Sequence, residues 1–110
     1  MLVFPLKKQW YEKIKSGEKT IEYREVKPYW SIRINKEIAS PLSPMQKVGE
    51  GHIFCGRYKE HPCLLRLGYT KQYMTAFISE IHIVDGKDTD LAIDEPVYAI
   101  HLTDVRECGK

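Results

Sequence analysis

Lys8-Gln9-Trp10-Tyr11-Glu12-Lys13-Ile14-Lys15-Ser16-Gly17-Glu18-Lys19-Thr20-Ile21-Glu22-Tyr23-Arg24-Glu25-Val26 changes its period at Gly17. Before the glycine, Trp10, Tyr11 and Ile14 share one face at helical spacing, with Lys13 and Lys15 outside it. The spacing predicts a helix from Lys8 to Ser16 that packs Trp10 and Ile14 against a sheet. Gly17 stands where a helix end needs a left-handed residue. From Thr20 to Val26 the chain is β-branched and aromatic and alternates with a period of two. Ile21 and Tyr23 fall on one side of that strand, Glu22 and Arg24 on the other. A helix running across a glycine into a strand sets an α+β plan.

Outward from this stretch, the pattern adds mostly strands. Leu2-Val3-Phe4, closed by Pro5, reads as an opening strand or edge. Lys27-Pro28 breaks the strand after Val26, and Tyr29-Trp30-Ser31-Ile32-Arg33-Ile34 opens a short helix in preference to a second extended piece. Ser40 to Gly51, with Pro41, Pro44, Gly49 and Gly51, reads as a surface loop. Ile53-Phe54-Cys55 and Cys63-Leu64-Leu65-Arg66-Leu67 read as strands joined by the polar turn Lys59-Glu60-His61-Pro62. A longer strand runs from Tyr73 to Val84. Its apolar phase slips between Phe77-Ile78 and Ile81, Ile83, as at a β-bulge that turns a barrel corner. Asp85-Gly86 ends it, and an acidic connection from Asp88 to Glu95 leads to a closing strand, Val97 to Leu102. One firm N-terminal helix, short additional helices and about six strands predict a single domain over residues 1–110, α+β and mainly β, built as a small mixed β-barrel.

Composition agrees with one core. The chain has 110 residues, 43% apolar and 29% charged, which excludes disordered and fibrous classes. No apolar run approaches the ~20 residues that span a bilayer, and Met1-Leu2-Val3-Phe4-Pro5 is too short and too soon charged for a secretory signal. A cytoplasmic protein with no membrane partner is expected. Cys55, Cys63 and Cys108 form no CxxC pair and are expected as free thiols. The net charge of +2 conceals an asymmetry: residues 1–36 hold nine Lys/Arg against four Asp/Glu, and residues 85–107 hold seven acidic against two basic residues. The basic third suits a polyanion or is a solvated lysine-rich helix face.

The chemistry concentrates after Gly17. Glu22 and Arg24 lie two residues apart on one strand face, close enough to pair, and Lys19 enters just before them. Such a group binds an anion or moves a proton, with Lys19 as base and Glu22 positioning it or accepting a donor from a base edge. The same spacing also fits a surface salt-bridge ladder.

Trp10 to Arg24, an aromatic helix feeding Gly-x-Lys-x-x-Glu-x-Arg, resembles the N-terminal signature of ASCH domains. Glu25-Val26-Lys27-Pro28-Tyr29-Trp30 and Leu67-Gly68-Tyr69 are similar to a short single-domain branch of that family. The resemblance implies a PUA-like barrel whose cleft, lined by the motif's Lys, Glu and Arg, meets RNA or a nucleotide-like ligand. Some members are amidohydrolases that deacetylate N4-acetylcytidine with a lysine and a threonine nucleophile. Lys19 matches that lysine, Glu22 stands at the threonine's position, and the acid falls after the long strand, where Asp88, Asp90, Asp94 and Glu95 lie. Other members are suggested ribonucleases. The resemblance therefore implies Lys19 and Glu22 as catalytic residues if the chain is an enzyme.

Tyr29 and Trp30 follow a proline where a stacking platform is useful, and Arg33 extends the positive surface. Tyr69, Thr70 and Lys71 form a polar-aromatic corner that rims the same cleft or is a plain hairpin turn. The ligand-binding set is therefore Lys19, Glu22, Arg24, Tyr29, Trp30, Arg33, Tyr69 and Lys71. His52, Cys55, His61 and Cys63 give HxxC then HxC, which suits zinc in ligand type, but Cys55 and Cys63 lie in apolar runs and the spacing fits no zinc module. No metal or cofactor is expected. His82 and His101 read as barrel-surface histidines. A protein-interaction surface on the acidic 85–107 segment is a third functional reading, and nothing in the pattern specifies an oligomer.

Overall fold

The structure is a computed structural model that describes residues 1–38, 52–55 and 61–108. Its elements, in chain order, are β1 (Leu2–Leu6), α1 (Lys8–Ser16), β2 (Ile21–Glu25), α2 (Pro28–Ile38), β3 (His52–Cys55), β4 (His61–Leu67), β5 (Tyr73–Asp85), a single 3-10 turn (Gly86–Asp88) and β6 (Pro96–Cys108). The fold is mainly β, as expected. The strands form one curled, barrel-like mixed sheet in the order β1-β4-β5-β6-β2, with β3 paired to β5 off that path. β1 and β4 run parallel and every other pair is antiparallel. β1 and β2 are the two ends of the strand order, so the curl leaves a seam between them.

Bulges on the central hairpin produce the curl. Ile78 pairs with Leu102 but Glu80 pairs with His101, leaving Ser79 as the extra residue. That insertion is the predicted phase slip: Met74, Ala76 and Ile78 are buried before it, Ile81 and Ile83 after it. A second irregularity lies on β6, where Phe77 pairs with Thr103 and Thr75 with Arg106. Asp104 takes φ 52° there, the left-handed conformation that lets a strand absorb an extra residue.

The interior of the curl is the core. Phe4 and Leu65 meet Met74, Ile78, Ile81 and Ile100, and Ile34 of α2 is fully buried with them. Helix α1 contributes Tyr11 and Ile14, whereas Trp10 is only half-buried. Trp10 is therefore not left in solvent, but Tyr11 and not Trp10 takes the fully buried place beside Ile14. Trp10 and Tyr11 both neighbour Ile14 on the helix, and 100° of rotation between them places one over the sheet and the other at the margin of the apolar arc.

Further boundaries differ from the sequence reading, beginning with β1, which continues through Pro5 to Leu6. Helix α2 spans Pro28–Ile38, longer than the expected Tyr29 to Ile34 piece, because Pro28 starts a helix without losing a needed hydrogen bond and Ile34 anchors the next turns in the core. β6 runs on past Leu102 to Cys108, since β5 continues to offer it a partner as far as Tyr73. His61 and Pro62, assigned to a turn, belong to β4 and pair with Ile78 and Phe77, while Lys59 and Glu60 lie outside the described residues. The Ser40 to Gly51 loop also lies outside them. Among the described residues no helix is long and apolar enough to cross a membrane.

Candidate functional site

The seam between β1 and β2 is where charge enters the fold. Period two on β2 aims Glu22 and Arg24 into the seam, and Glu22 is the one buried charged residue among those described, 6% exposed. The surface-ladder alternative therefore fails. Glu22 Oε1 accepts the Tyr23 amide at 3.1 Å, and Oε2 accepts Arg24 Nη2 at 2.8 Å. The same Nη2 donates to the Pro5 carbonyl at 2.9 Å. Arg24 thus ties β2 to β1 where no ladder joins them. Its guanidinium lies 5.5 Å from the Phe4 ring centre and 5.0 Å from that of Trp30, which itself stacks on Phe4 at 5.2 Å.

Lys19 is brought in by the helix end. Gly17, at φ 86°, donates its N–H to the Ile14 carbonyl, and the Lys19 N–H reaches back to Lys13, so the chain folds over the last turn of α1. This sets the Lys19 ammonium 5.2 Å from the Trp10 ring centre and 4.9 Å from that of Tyr23. Its side chain is 10% exposed, lies 3.7 Å from Glu22 Oε1 and makes a direct charged hydrogen bond to Asp90 Oδ2. Two rings and two carboxylates hold one cation.

Asp90 owes its position to the connection between β5 and β6. Asp85 accepts the Lys87 N–H, and Gly86 exchanges hydrogen bonds with the far end of the segment: its N–H meets the Glu95 carbonyl at 2.8 Å, and its carbonyl accepts Thr89 Oγ1 and the Ile93 N–H. The loop is pinned at its base and presents Asp90 to the seam. Of the four acids considered for this segment, the fold brings Asp90 onto Lys19, while Asp94 pairs outward with Lys87.

The electrostatics follow from burial. Desolvation raises the Glu22 carboxyl above its ordinary range, against the pull of Arg24, Lys19 and the Tyr23 amide. Burial and the charge of Asp90 raise the Tyr23 phenol. Glu22 is therefore a carboxyl able to take a proton between two cations.

Space is present beside these groups. A recess of about 500 Å³ in the seam is lined by Leu6, Trp10, Lys19, Glu22, Arg24 and Asp90 among others. An adjoining recess of about 310 Å³ shares Trp10, Lys19, Tyr23 and Asp90. Lys7 edges the first and Lys13 the second; both are exposed and form no ion pair among the described residues.

The other sequence-predicted residues divide. Trp30 backs Arg24 from behind. Tyr29 and Arg33 stack on each other, with Cζ 3.5 Å from the ring centre, and line a separate groove of about 420 Å³ with Lys36. Tyr69, 91% exposed, and Lys71 sit on the β4–β5 turn and line neither seam recess. Trp10 and Tyr23 as ring walls were not legible as site residues. The only hint was Trp10 at the margin of the apolar arc, one helical turn from Lys13. Of the four-residue zinc pattern, Cys63 is fully buried, opposite Ala76 on the core face, and the side chains of His52 and Cys55 lie outside the described residues.

Comparison of the chain with protein-family models, with curated proteins and with solved structures gave no match.

Proposed function

We propose that the seam cleft binds a nucleobase, in RNA or in a nucleotide-like ligand, as a PUA-like module of the ASCH type would. The observation that carries the reading is Lys19 held between the rings of Trp10 and Tyr23 beside buried Glu22. Inside the cleft, Lys19 and Arg24 are balanced by Glu22 and Asp90, so its interior does not suit a bare phosphate. Ring faces, carboxylate acceptors and an ammonium donor suit a flat heterocycle with exocyclic amines and carbonyls. Phosphates fall to the rim, where Lys7 and Lys13 stand. Titration with single-stranded RNA oligonucleotides and free nucleosides over a range of salt tests the reading. Log affinity for the oligonucleotide falls linearly with log salt, by about 0.7 per phosphate contacted, and Lys19→Ala with Arg24→Ala weakens binding further. Absence of binding at low salt, or equal binding by the double variant, rejects it.

The contact of Lys19 with Asp90 favours a second reading, hydrolysis of the acetyl amide of N4-acetylcytidine. It adds an acid to the lysine that the family resemblance implies. With Glu22 at the position of the nucleophilic threonine, the unmodified protein turns over slowly: Glu22 takes a proton from water, the hydroxide adds to the acetyl carbon, and the C–N bond breaks as Glu22 passes that proton to the departing N4, giving acetate and cytidine. Product formation followed by chromatography is the test. Glu22→Thr gains rate under this reading, and a complete absence of turnover by both forms leaves binding alone.

A further inference from the structure

On the outer face of the sheet, away from the seam, three metal-type ligands converge just past the Ser79 bulge. Glu80 pairs with His101 across β5 and β6, and His82 follows two residues on, on the same face as Glu80. His82 Nε2 lies 3.0 Å and His101 Nδ1 3.6 Å from the same oxygen, Glu80 Oε1. The two imidazoles meet edge to face, 5.0 Å between centres. One ligand atom from each residue lies within 4.8 Å of the others.

We propose that Glu80, His82 and His101 bind a divalent transition metal of the zinc class. Two imidazole nitrogens and a carboxylate oxygen are a borderline-soft set that zinc accepts, with one position of a tetrahedron left for water or an outside group. Tetrahedral bonds of about 2.0–2.1 Å place ligand atoms about 3.3 Å apart. Rotation of these partly exposed side chains would cover the remaining difference. Two structural facts make this more than an ion-pair cluster. The ligands stand on neighbouring rungs of the longest hairpin, so the backbone already holds their spacing. The Ser79 bulge also puts Glu80 opposite His101 instead of one residue away, which is the register the three-ligand geometry needs. β3 brings His52 opposite His82 and Cys55 opposite Glu80 in its register, so the backbone of the HxxC segment runs alongside this cluster.

Calorimetric titration of the full chain with Zn²⁺, and optical titration with Co²⁺, test the proposal. One ion binds per chain. His82→Ala and His101→Ala each weaken it at least tenfold, as does Glu80→Gln, with circular dichroism confirming that the variants fold. In the unmodified protein, Zn²⁺ shifts the imidazole nitrogen resonances of His82 and His101 and leaves those of His61 in place, a readout independent of any variant. Absence of binding overturns the proposal. So does affinity unchanged in both histidine variants, or a thiolate charge-transfer band with Co²⁺ that survives His82→Ala.

Discussion

Lys19 and Asp90, seventy-one positions apart, form a charged hydrogen bond across the mouth of the seam. It joins the basic N-terminal third to the acidic C-terminal segment, and Lys15 with Glu107, 3.4 Å apart, repeats the match from the last turn of α1. Part of the charge asymmetry is therefore internal complementarity and not a surface offered to a partner.

Coupling between Lys19 and Asp90 is measurable by a double-mutant cycle. Lys19→Met leaves Asp90 without its cation and Glu22 with Arg24 alone. A fully buried pair broken this way costs 3–5 kcal/mol. Asp90 is about one third exposed, so about 1–2 kcal/mol is expected after allowance for screening. Adding Asp90→Asn recovers part of that loss. Strict additivity of the two substitutions in urea unfolding would show that they do not interact.

Gly86 holds the connection that carries Asp90. A Cβ there would stand 2.5 Å from the Glu95 carbonyl oxygen and 2.7 Å from that of Ile93, both backbone atoms that cannot swing aside. Gly86→Ala is expected to destabilise the fold by about 2 kcal/mol, within the range for overpacked sites. It also frees Asp90 from Lys19, visible as faster exchange of the Ile93 amide. An unchanged denaturation midpoint would contradict this.

Arg24→Lys separates charge from geometry. Lysine keeps the attraction to Glu22 but cannot also reach the Pro5 carbonyl while lying flat beside Phe4 and Trp30. A loss of about 2 kcal/mol is expected, in line with hydrogen bonds to charged groups. Amides of β1 next to the seam exchange faster than those of β5. Stability equal to the parent would show that the seam is closed by charge alone.

Alkaline pH acts on the core. Burial pushes the Cys63 thiol up from 9.0 to about 12, and burial with help from Glu107 pushes the Tyr11 phenol up from 10.0 to about 12. Both groups are raised in the folded state. Their contribution is complete below the unfolded values and is lost as pH rises from about 9 toward 12. Urea midpoints therefore fall between pH 8 and pH 11, and Cys63→Ala reduces the steepness of that fall even if it lowers the starting stability. A parallel fall in parent and variant would remove Cys63 from the account.

Much of this architecture is legible locally. The change of period at Gly17 sets α1 against β2, because helix and strand periodicities and a left-handed cap are properties of neighbouring residues. The slip between Ile78 and Ile81 announces the Ser79 bulge for the same reason: burial on one sheet face leaves no other way to keep both halves apolar inward. Lys19, Glu22 and Arg24 were readable as a cluster since they are neighbours in the chain.

Tertiary structure alone decided what meets that cluster. Which of four acids faces Lys19 depends on hydrogen bonds that pin the Gly86 turn to Glu95, and which aromatic leaves the core depends on how α1 is rotated over the sheet. The direction of the polar face of β2 was ambiguous, because alternation separates two sides of a strand without saying which faces inward. Packing chose the side on which Arg24 bridges β2 to the Pro5 carbonyl of β1, a backbone acceptor that the strand order leaves at the seam. Local sequence thus determined the elements and their polarity. Long-range contacts, which no neighbouring residue encodes, assembled the cleft and the Glu80, His82 and His101 cluster.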